Sequence, residues 1–194
     1  MKIADVLLPA VIPQLPGCDE LLVKSELLKS ARTFAKETES LIELQSETIT
    51  GKISEIALDP DIAGTVLRVY SVIDDGQKID PLDYEVDPVA MKITFNQESG
   101  ADGKVRLVKL YYAMMPKIAT DDLPEDWLNR YGDGIAALAL FSLMNHPNKP
   151  YSNPQAAQVQ NMLWTRERAR AICEVSGKLK NTIQRIDLSG GKDF

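Results

Sequence analysis

Histidine and cysteine are scarce in this chain of 194 residues, which has one histidine and two cysteines. Any Ser-His-Asp triad or histidine-based metal site would depend on His146 alone. That residue follows an apolar helical run and precedes a proline, a position that favours a capping or loop role, so both chemistries are effectively excluded. Cys18 and Cys173 lack metal-type spacing and indicate two reduced thiols in a reducing compartment.

Long apolar runs are lacking as well. The longest, Ile135–Met144, is well short of the roughly 20 residues that a bilayer span needs. Asp5 and Pro9 interrupt the first fifteen residues, where a secretory leader needs a continuous apolar stretch. The sequence therefore predicts a soluble intracellular protein without membrane contact.

Positive charge is in deficit, since the formal net charge is −6. Residues 154–194 carry seven Lys/Arg against four Asp/Glu, whereas residues 1–153 carry 15 against 24. An acidic chain is a poor general nucleic-acid binder, because phosphate affinity depends on Lys and Arg. The basic end favours contact with an acidic protein surface over contact with phosphate.

Segments that resemble ligand-binding loops fail on spacing. Gly100–Lys104 lacks the glycine spacing of a phosphate loop and precedes a strand, so we interpret it as a hairpin turn. Asp59–Gly64 begins like a calcium loop, but Ala63 stands at its fifth position and it too is interpreted as a turn. Acidic residues between Asp74 and Asp87 lie beside Gly or Pro and suit solvated turns. We therefore predict no catalytic, cofactor or metal site and no enzyme activity; a carboxylate pair from distant positions stays open.

Apolar periodicity predicts one helix before the middle of the chain and one after it. Glu20–Glu39 is amphipathic, with Asp19 placed as its N-cap. Trp127–Met144 is apolar on nearly every side, so the helix must be covered almost all round. We expect Asp121 or Asp122 to cap it.

A third helix is predicted over Gln155–Lys180. Its buried face is expected to consist of seven residues at helical spacing: Val159, Met162, Leu163, Arg166, Ala169, Ile172 and Cys173. Arg168 and Arg170 complete an arginine cluster with Arg166. The segment 183–194 is predicted to be a flexible, extended tail.

Between Leu41 and Lys117 the apolar period changes to two, and Asp74-Asp75-Gly76 is a strong hairpin signal. Five or six short strands at this spacing suggest a small antiparallel sandwich or barrel. The predicted fold class is α+β: a helical bundle, made of an N-terminal helix plus two long C-terminal helices, with the β module inserted. The predicted domains are 1–40 with 118–182 for the helices, 41–117 for the β module and 183–194 for the tail.

Several short motifs carry a family resemblance over nearly the whole length. They are Leu15–Cys18, Ala31–Phe34, the strand Val105–Tyr112, Leu123–Tyr131, Asp133–Ala136 and the elbow Pro147–Gln155 before an Arg/Ala-rich last helix. On these residues the chain resembles the head–tail connector adaptor proteins of short-tailed, podovirus-like bacteriophages. Family members often carry Trp where Tyr151 stands.

The resemblance implies a structural virion protein of the neck, assembled in the host cytoplasm. It implies a ring of about twelve copies that docks beneath the portal protein, extends the DNA channel and offers a platform to tail, nozzle or tail-fibre proteins. DNA would pass through the channel without specific binding. The residues that we expect at protein interfaces are Trp164, Arg166, Arg170, Ile183, Ile186, Leu188 and Phe194.

Two other interpretations stay open. One is a different phage neck or tail protein, such as a stopper or a tail-tube component, although flanking helices argue against a tube protein built mainly of sheet. The other is a monomeric β module that binds carbohydrate or protein. Exposed aromatic residues on the β part would be its signature.

Overall fold

The computed structural model describes residues 1–99 and 105–189, and over these residues the chain is α+β, as predicted. It divides into two compact units. The helical unit consists of Met1–Ser40 and Pro116–Glu174, and the β unit consists of Leu41–Met115 with the part of the last helix that follows Glu174. The boundaries fall after Ser40 and Met115, compared with predicted boundaries after residues 40 and 117.

The helices have the bounds α1 Ile3–Val11, α2 Glu20–Thr38, α3 Glu125–Met144 and α4 Pro154–Ser189. Helices α2 and α3 begin and end close to the predicted positions, and α4 begins one residue before its predicted start. The Asp19 carboxylate accepts a hydrogen bond of 2.8 Å from the backbone N–H of Leu21, which confirms it as the N-cap of α2. A short 3-10 turn, Ile12–Gln14, follows α1.

Helix α3 is covered on nearly every side, as its apolar composition predicts. Ile135, Leu140 and Leu143 are at most 3% exposed, and α1 and α2 pack against the helix. Glycines allow these close approaches. A Cβ atom added at Gly134 would lie 2.6 Å from the Phe34 ring and 2.9 Å from Cβ of Glu167 on α4. The cover of α3 therefore includes α1, α2 and α4 of its own unit.

The predicted caps of α3 are wrong. Pro124 occupies the N-cap position without a side-chain hydrogen bond. Asp121 and Asp122 instead face the start of the chain, 3.7 Å from Lys2 Nζ and 3.8 Å from the Met1 amino group. The two carboxylates therefore bind the first two residues of the chain. Lys2 also forms an isolated backbone β-bridge with Asp122.

At the C-terminal end of α3, His146 has the predicted loop position and a different side chain caps the helix. The side chain that caps it is Asn145, whose Nδ2 donates to Phe141 O at 2.9 Å. His146 contributes its backbone N–H, which donates to Leu143 O, and its ring lies 6.4 Å from that of Tyr151. Asn145 is shorter and one residue closer to the last turn, so it reaches the free carbonyl first.

The tail was predicted to be extended from residue 183, but α4 continues to Ser189. Good helix formers such as Lys178, Leu179 and Gln184 continue without a proline until Gly190-Gly191, so nothing in the sequence stops the helix earlier. Residues 190–194 of the predicted tail lie outside the described residues.

The β unit contains two antiparallel sheets, which fit the predicted small sandwich. The strands are β1 Ile42–Thr50, β2 Ile53–Ala57, β3 Gly64–Asp74, β4 Gln77–Lys78, β5 Tyr84–Asp87, β6 Lys92–Ser99 and β7 Val105–Pro116, with a 3-10 turn at Pro81–Asp83. One sheet has the order β1-β7-β3-β4 and the other β2-β6-β5. The predicted hairpin at Asp74-Asp75-Gly76 is confirmed, because Asp74 pairs with Gln77 and the two turn residues have φ of 50° and 85°.

The structure describes one of the two segments that were predicted to be turns because they fail as ligand-binding loops. Asp59–Gly64 forms no helix or strand before its last residue and connects β2 to β3, as a turn should. The predicted hairpin turn at Gly100–Lys104 lies outside the described residues.

Candidate interaction surface

Helix α4 buries a different face from the predicted one. Within the helical unit the buried positions of α4 are Ala157, Trp164, Glu167 and Ala171, each at most 8% exposed. Three of the predicted core residues, Val159, Met162 and Ile172, are 55%, 73% and 39% exposed. Arg166, Ala169 and Cys173 are exposed too, and Leu163 is half-buried. The helix is rotated in this way because Glu167 Cβ packs over Gly134, where the absence of a side chain lets α4 approach α3 closely.

Three apolar residues of α4 therefore remain exposed, Val159, Met162 and Ile172, and we call this set the stripe. Large apolar side chains that remain exposed together on one element are the usual mark of a contact surface. The spacing of Val159 and Met162, three residues apart, puts them on the same side of the helix. The stripe is therefore the strongest candidate for a protein interface in the helical unit.

Arg166, Arg168 and Arg170 lie in the sequence between Met162 and Ile172 of the stripe, and each pairs with a carboxylate of the same chain. Arg166 Nη2 and Arg170 Nη2 bind the two oxygens of the Glu167 carboxylate at 3.0 and 2.8 Å. Arg168 Nη1 binds Glu37 at 2.8 Å. The predicted arginine cluster exists, but two carboxylates of the helical unit compensate part of its charge. A partner would meet guanidinium groups that are already held in place.

A second group of hydrogen bonds joins α3 to α4 near Glu174. Arg130 Nε donates to Glu174 at 2.7 Å, and the Tyr131 hydroxyl donates to the same oxygen at 3.1 Å. The hydrogen bond from Arg130 lowers the pKa of Glu174, so this carboxyl remains ionised at neutral pH. Arg170 also donates to the carbonyl of Arg130 at 2.9 Å, which ties α4 to α3.

A shallow groove of about 260 Å³ runs between α1, α3 and α4. Its walls are Ala10, Ala136, Leu140 and Leu163, and Asp133 and Arg166 stand among its polar residues. It shares Arg166 with the network beside the stripe. The groove adds a concave edge to the candidate surface.

The structure describes the side chains of three of the predicted interface residues, Trp164, Arg166 and Arg170. Trp164 is 7% exposed and its ring centroid lies 5.5 Å from that of Phe34, so its side chain packs in the core of the helical unit. Arg166 and Arg170 lie beside the stripe. Ile183, Ile186 and Leu188 fall within the backbone of α4, while their side chains and Phe194 lie outside the described part of the chain.

Sequence reasoning missed a buried ion pair in the β unit. The Arg106 side chain on β7 is 5% exposed, that of Asp74 on β3 is 11% exposed, and the two form a short salt bridge. Arg106 Nη2 also donates to Gly51 O at 3.0 Å. Alternation along β7 places Arg106 on the same face as the buried Val108 and Leu110, which is the signal that the sequence offered.

Other chemistry was sought across the residues that the structure describes. No group of three His, Cys, Asp or Glu side chains among them has the geometry to hold a metal ion. Over the same residues, none of the helices combines the length and hydropathy that crossing a bilayer requires.

Comparison with known proteins gives no assignment. Neither a scan against protein-family models nor a search of curated proteins finds a match for this chain.

Proposed function

We propose that this chain is a structural virion protein, a head-to-tail adaptor that forms a ring between the portal and the tail of a short-tailed bacteriophage. The ring, about twelve copies in the family it resembles, extends the DNA channel in the virion neck and is assembled in the host cytoplasm. The role is architectural and involves no catalysis and no cofactor.

The observation that carries the proposal is the exposed stripe on α4. The apolar helix α3 is already covered within its own unit, so a neighbouring copy is not needed there. Val159, Met162 and Ile172 remain exposed and lie next to ordered arginines. A preformed apolar stripe with a polar rim has the arrangement of a protein–protein contact.

Charge supports the passage of DNA without binding. The chain has a net charge of −6, and three of the four arginines of α4, at positions 166, 168 and 170, are paired with Glu37 and Glu167. Phosphate affinity depends on a surplus of Lys and Arg, so a wall built from this acidic chain should attract a passing duplex only weakly.

The portal contact is assigned to the end of α4. Ile183, Ile186 and Leu188 recur there at two- to three-residue spacing, with Phe194 close behind in the sequence. Such a segment can bury apolar area on a partner. Tail, nozzle or tail-fibre proteins would meet the remaining faces of the ring.

The test is native mass by light scattering, on the chain alone and mixed with the candidate portal. We expect a mass many times the 21.5 kDa of one chain in the mixture. Met162→Asp should abolish that assembly, because it places a charge in the stripe. Leu21→Asp is the matched control, since Leu21 on α2 is also 73% exposed and lies outside the stripe.

Truncation after residue 182 separates the portal contact from the stripe. The native mass of the truncated chain should no longer respond to the portal, while contacts through the stripe stay intact. A mass that the portal does not change would reject the adaptor function. It would favour the monomeric β module, although Tyr84, Phe95 and Tyr112 of that unit are buried and are unavailable to stack on a sugar.

A further inference from the structure

Strand β1 lies at the edge of its sheet. In the order β1-β7-β3-β4 its strand neighbour, among the described residues, is β7 alone. It pairs with β7 over all nine residues from Ile42 to Thr50. A long edge strand presents a row of backbone N–H and C=O groups that can pair with another chain.

The hydrogen-bond pattern shows which backbone groups face this edge. Met114 N–H donates to Leu41 O at 2.8 Å, which makes Leu41 and Met114 a hydrogen-bonded pair. Such pairs alternate along an antiparallel ladder. The odd-numbered residues of β1 therefore bond to β7, and the N–H and C=O of Leu44, Ser46 and Thr48 point away from it.

The side chains of these same residues are exposed. Four cross-strand pairs share this face: Leu44 with Tyr111, Ser46 with Lys109, Thr48 with Leu107 and Thr50 with Val105. Leu44, Leu107 and Val105 are 53%, 43% and 59% exposed, and Lys109 is the one charged residue among the eight. The strand contains no Lys or Pro, two residues with which natural edge strands commonly block pairing, and its charged residues Glu43 and Glu47 lie on the other, half-buried face.

We propose that β1 is a self-association site, at which β1 of a second copy of this chain adds antiparallel about a two-fold axis through Ser46. In this register Leu44 faces Thr48 of the partner subunit, and Ser46 faces its own counterpart. The edge-facing groups of both strands then meet in hydrogen-bonded pairs along all nine residues. The two four-stranded sheets become one sheet of eight strands.

The charged residues of β1 favour this register between two copies of the strand. Centring on Ser46 places Glu47 opposite the partner's Gln45 and Glu43 opposite the partner's Ile49. A shift of the centre to Gln45 would oppose Glu43 and the partner's Glu47, and a shift to Glu47 would oppose two copies of Glu47. Like charges directly opposite are destabilising in a sheet. The register with full overlap is therefore also the one in which the glutamates avoid each other.

This contact goes beyond the proposed function and does not rest on it. A two-fold contact joins the same patch on both copies, whereas a ring needs two different patches on each copy. The stripe on α4 and the edge of β1 are therefore separate surfaces. The chain is expected to dimerise in the absence of any portal.

A cysteine at the two-fold axis tests the register. Ser46→Cys, in a Cys18→Ser, Cys173→Ser background, should form a disulfide-linked dimer on air oxidation. The Cα atoms of a hydrogen-bonded pair lie about 5.5 Å apart, within the range that a disulfide bridges. Thr48→Cys is the matched control on the same strand and face. Its counterpart would lie about 13 Å away along the strands, too far for a disulfide.

Non-reducing electrophoresis should show the dimer for Ser46→Cys and a many-fold weaker band for Thr48→Cys, while the double variant Leu44→Cys/Thr48→Cys regains it. Light scattering of the unmodified chain should give twice 21.5 kDa, falling to the monomer for Ser46→Pro. That proline removes an edge-facing N–H and no bond to β7, so circular dichroism should not change. A monomeric unmodified chain, or equal cross-linking at positions 46 and 48, overturns the proposal. Loss of the portal-dependent ring with the dimer intact would reject the adaptor function alone.

Discussion

The two units of this chain stabilise their interiors in different ways. The helical unit is centred on aromatic rings, with the centroid of Phe34 5.4 to 6.1 Å from those of Trp127, Tyr131 and Trp164. The β unit places a salt bridge between Arg106 and Asp74 in its interior. One core therefore depends on packing, and the other depends in part on the pairing of buried charge.

Charge is divided in the same way. Residues 41–115 contain seven Lys/Arg and 13 Asp/Glu, so this segment accounts for the whole net charge of −6 and the rest of the chain is neutral. Helices place charged side chains on an outer face in ion pairs such as Arg168–Glu37. The β unit has more carboxylates than cationic groups, and some of these carboxylates, such as that of Asp74, are buried. The comparison predicts that the helical unit is sensitive to lost volume and the β unit to lost charge.

The largest effect is expected from Phe34→Ala in the helical unit. The side chain is fully buried and contacts three other rings, so its removal should cost about 4 kcal/mol of the free energy of unfolding. Both tryptophans of the chain, Trp127 and Trp164, lie in this unit. Urea unfolding followed by tryptophan fluorescence therefore measures the loss where it occurs.

Leu22→Ala on the same helix is the control, because Leu22 is 38% exposed and its truncation should change stability by well under 1 kcal/mol. Equal losses in the two variants would show that the aromatic cluster does not centre the core of the helical unit.

Asp74→Ala in the β unit should have a slightly smaller effect, about 3 kcal/mol, because it leaves the buried Arg106 guanidinium without its carboxylate. Amide exchange of β3 and β7 should rise, since these strands carry the pair. The double variant Asp74→Leu/Arg106→Met, which removes both charges, should recover most of the loss.

Glu85→Ala removes an exposed carboxylate from β5 and serves as the matched control. If Asp74→Ala and Glu85→Ala destabilise the chain equally, the ion pair is not a stabilising feature of the β unit and the contrast with the helical unit disappears.

The rotation of α4 shows where sequence reasoning reached its limit. The apolar residues Val159, Met162 and Ile172 have helical spacing, and an apolar face is normally the buried one. The buried face instead includes Glu167, whose stem packs over Gly134 and whose carboxylate binds Arg166 and Arg170. A residue pattern on one helix does not reveal that a glycine on another helix leaves room for a glutamate.

More of the β unit than of α4 could be predicted from the sequence. The change of apolar period after Ser40 and the Asp-Gly signal at Asp75-Gly76 were sufficient to place the β unit and its hairpin. The pairing of β1 with β7, more than fifty residues away, was not predictable, because register over such a distance depends on the assembled sheet. The exposed edge of β1 follows from that pairing and so could not be found from the sequence.

The smallest predicted effect concerns Glu43, a half-buried carboxylate of the β unit. Its Oε2 accepts the backbone N–H of Asp61 at 3.1 Å and lies 3.5 Å from the Tyr112 hydroxyl. Its Oε1 is buried without a hydrogen-bond partner among the described residues. Burial raises the pKa of Glu43 above the ordinary 4.5, and the charge of Asp61 adds to this, although backbone N–H groups of Asp61 and Ile62 act in the other direction.

A raised pKa in the folded state means that ionised Glu43 destabilises the fold. The favourable contribution of the neutral carboxyl is complete below pH 4.5 and is lost as the pH rises through the folded-state pKa. Glu43→Gln is neutral at every pH and keeps an oxygen to accept from Asp61. We therefore expect this variant to be more stable than the unmodified chain at pH 7, by less than about 1 kcal/mol because the group is only half-buried. The difference should shrink toward zero at pH 4.

Parallel urea titrations at pH 4 and pH 7 measure this change, with Glu85→Gln on the exposed face of β5 as the matched substitution. The exposed variant should show no gain that depends on pH. If Glu43→Gln is less stable than the unmodified chain at pH 7, the ionised carboxylate stabilises the Asp61 loop by more than its burial costs. The β unit would then gain from both of its inward-facing acidic groups, Asp74 and Glu43, and its contrast with the helical unit would be stronger than the raised pKa indicates.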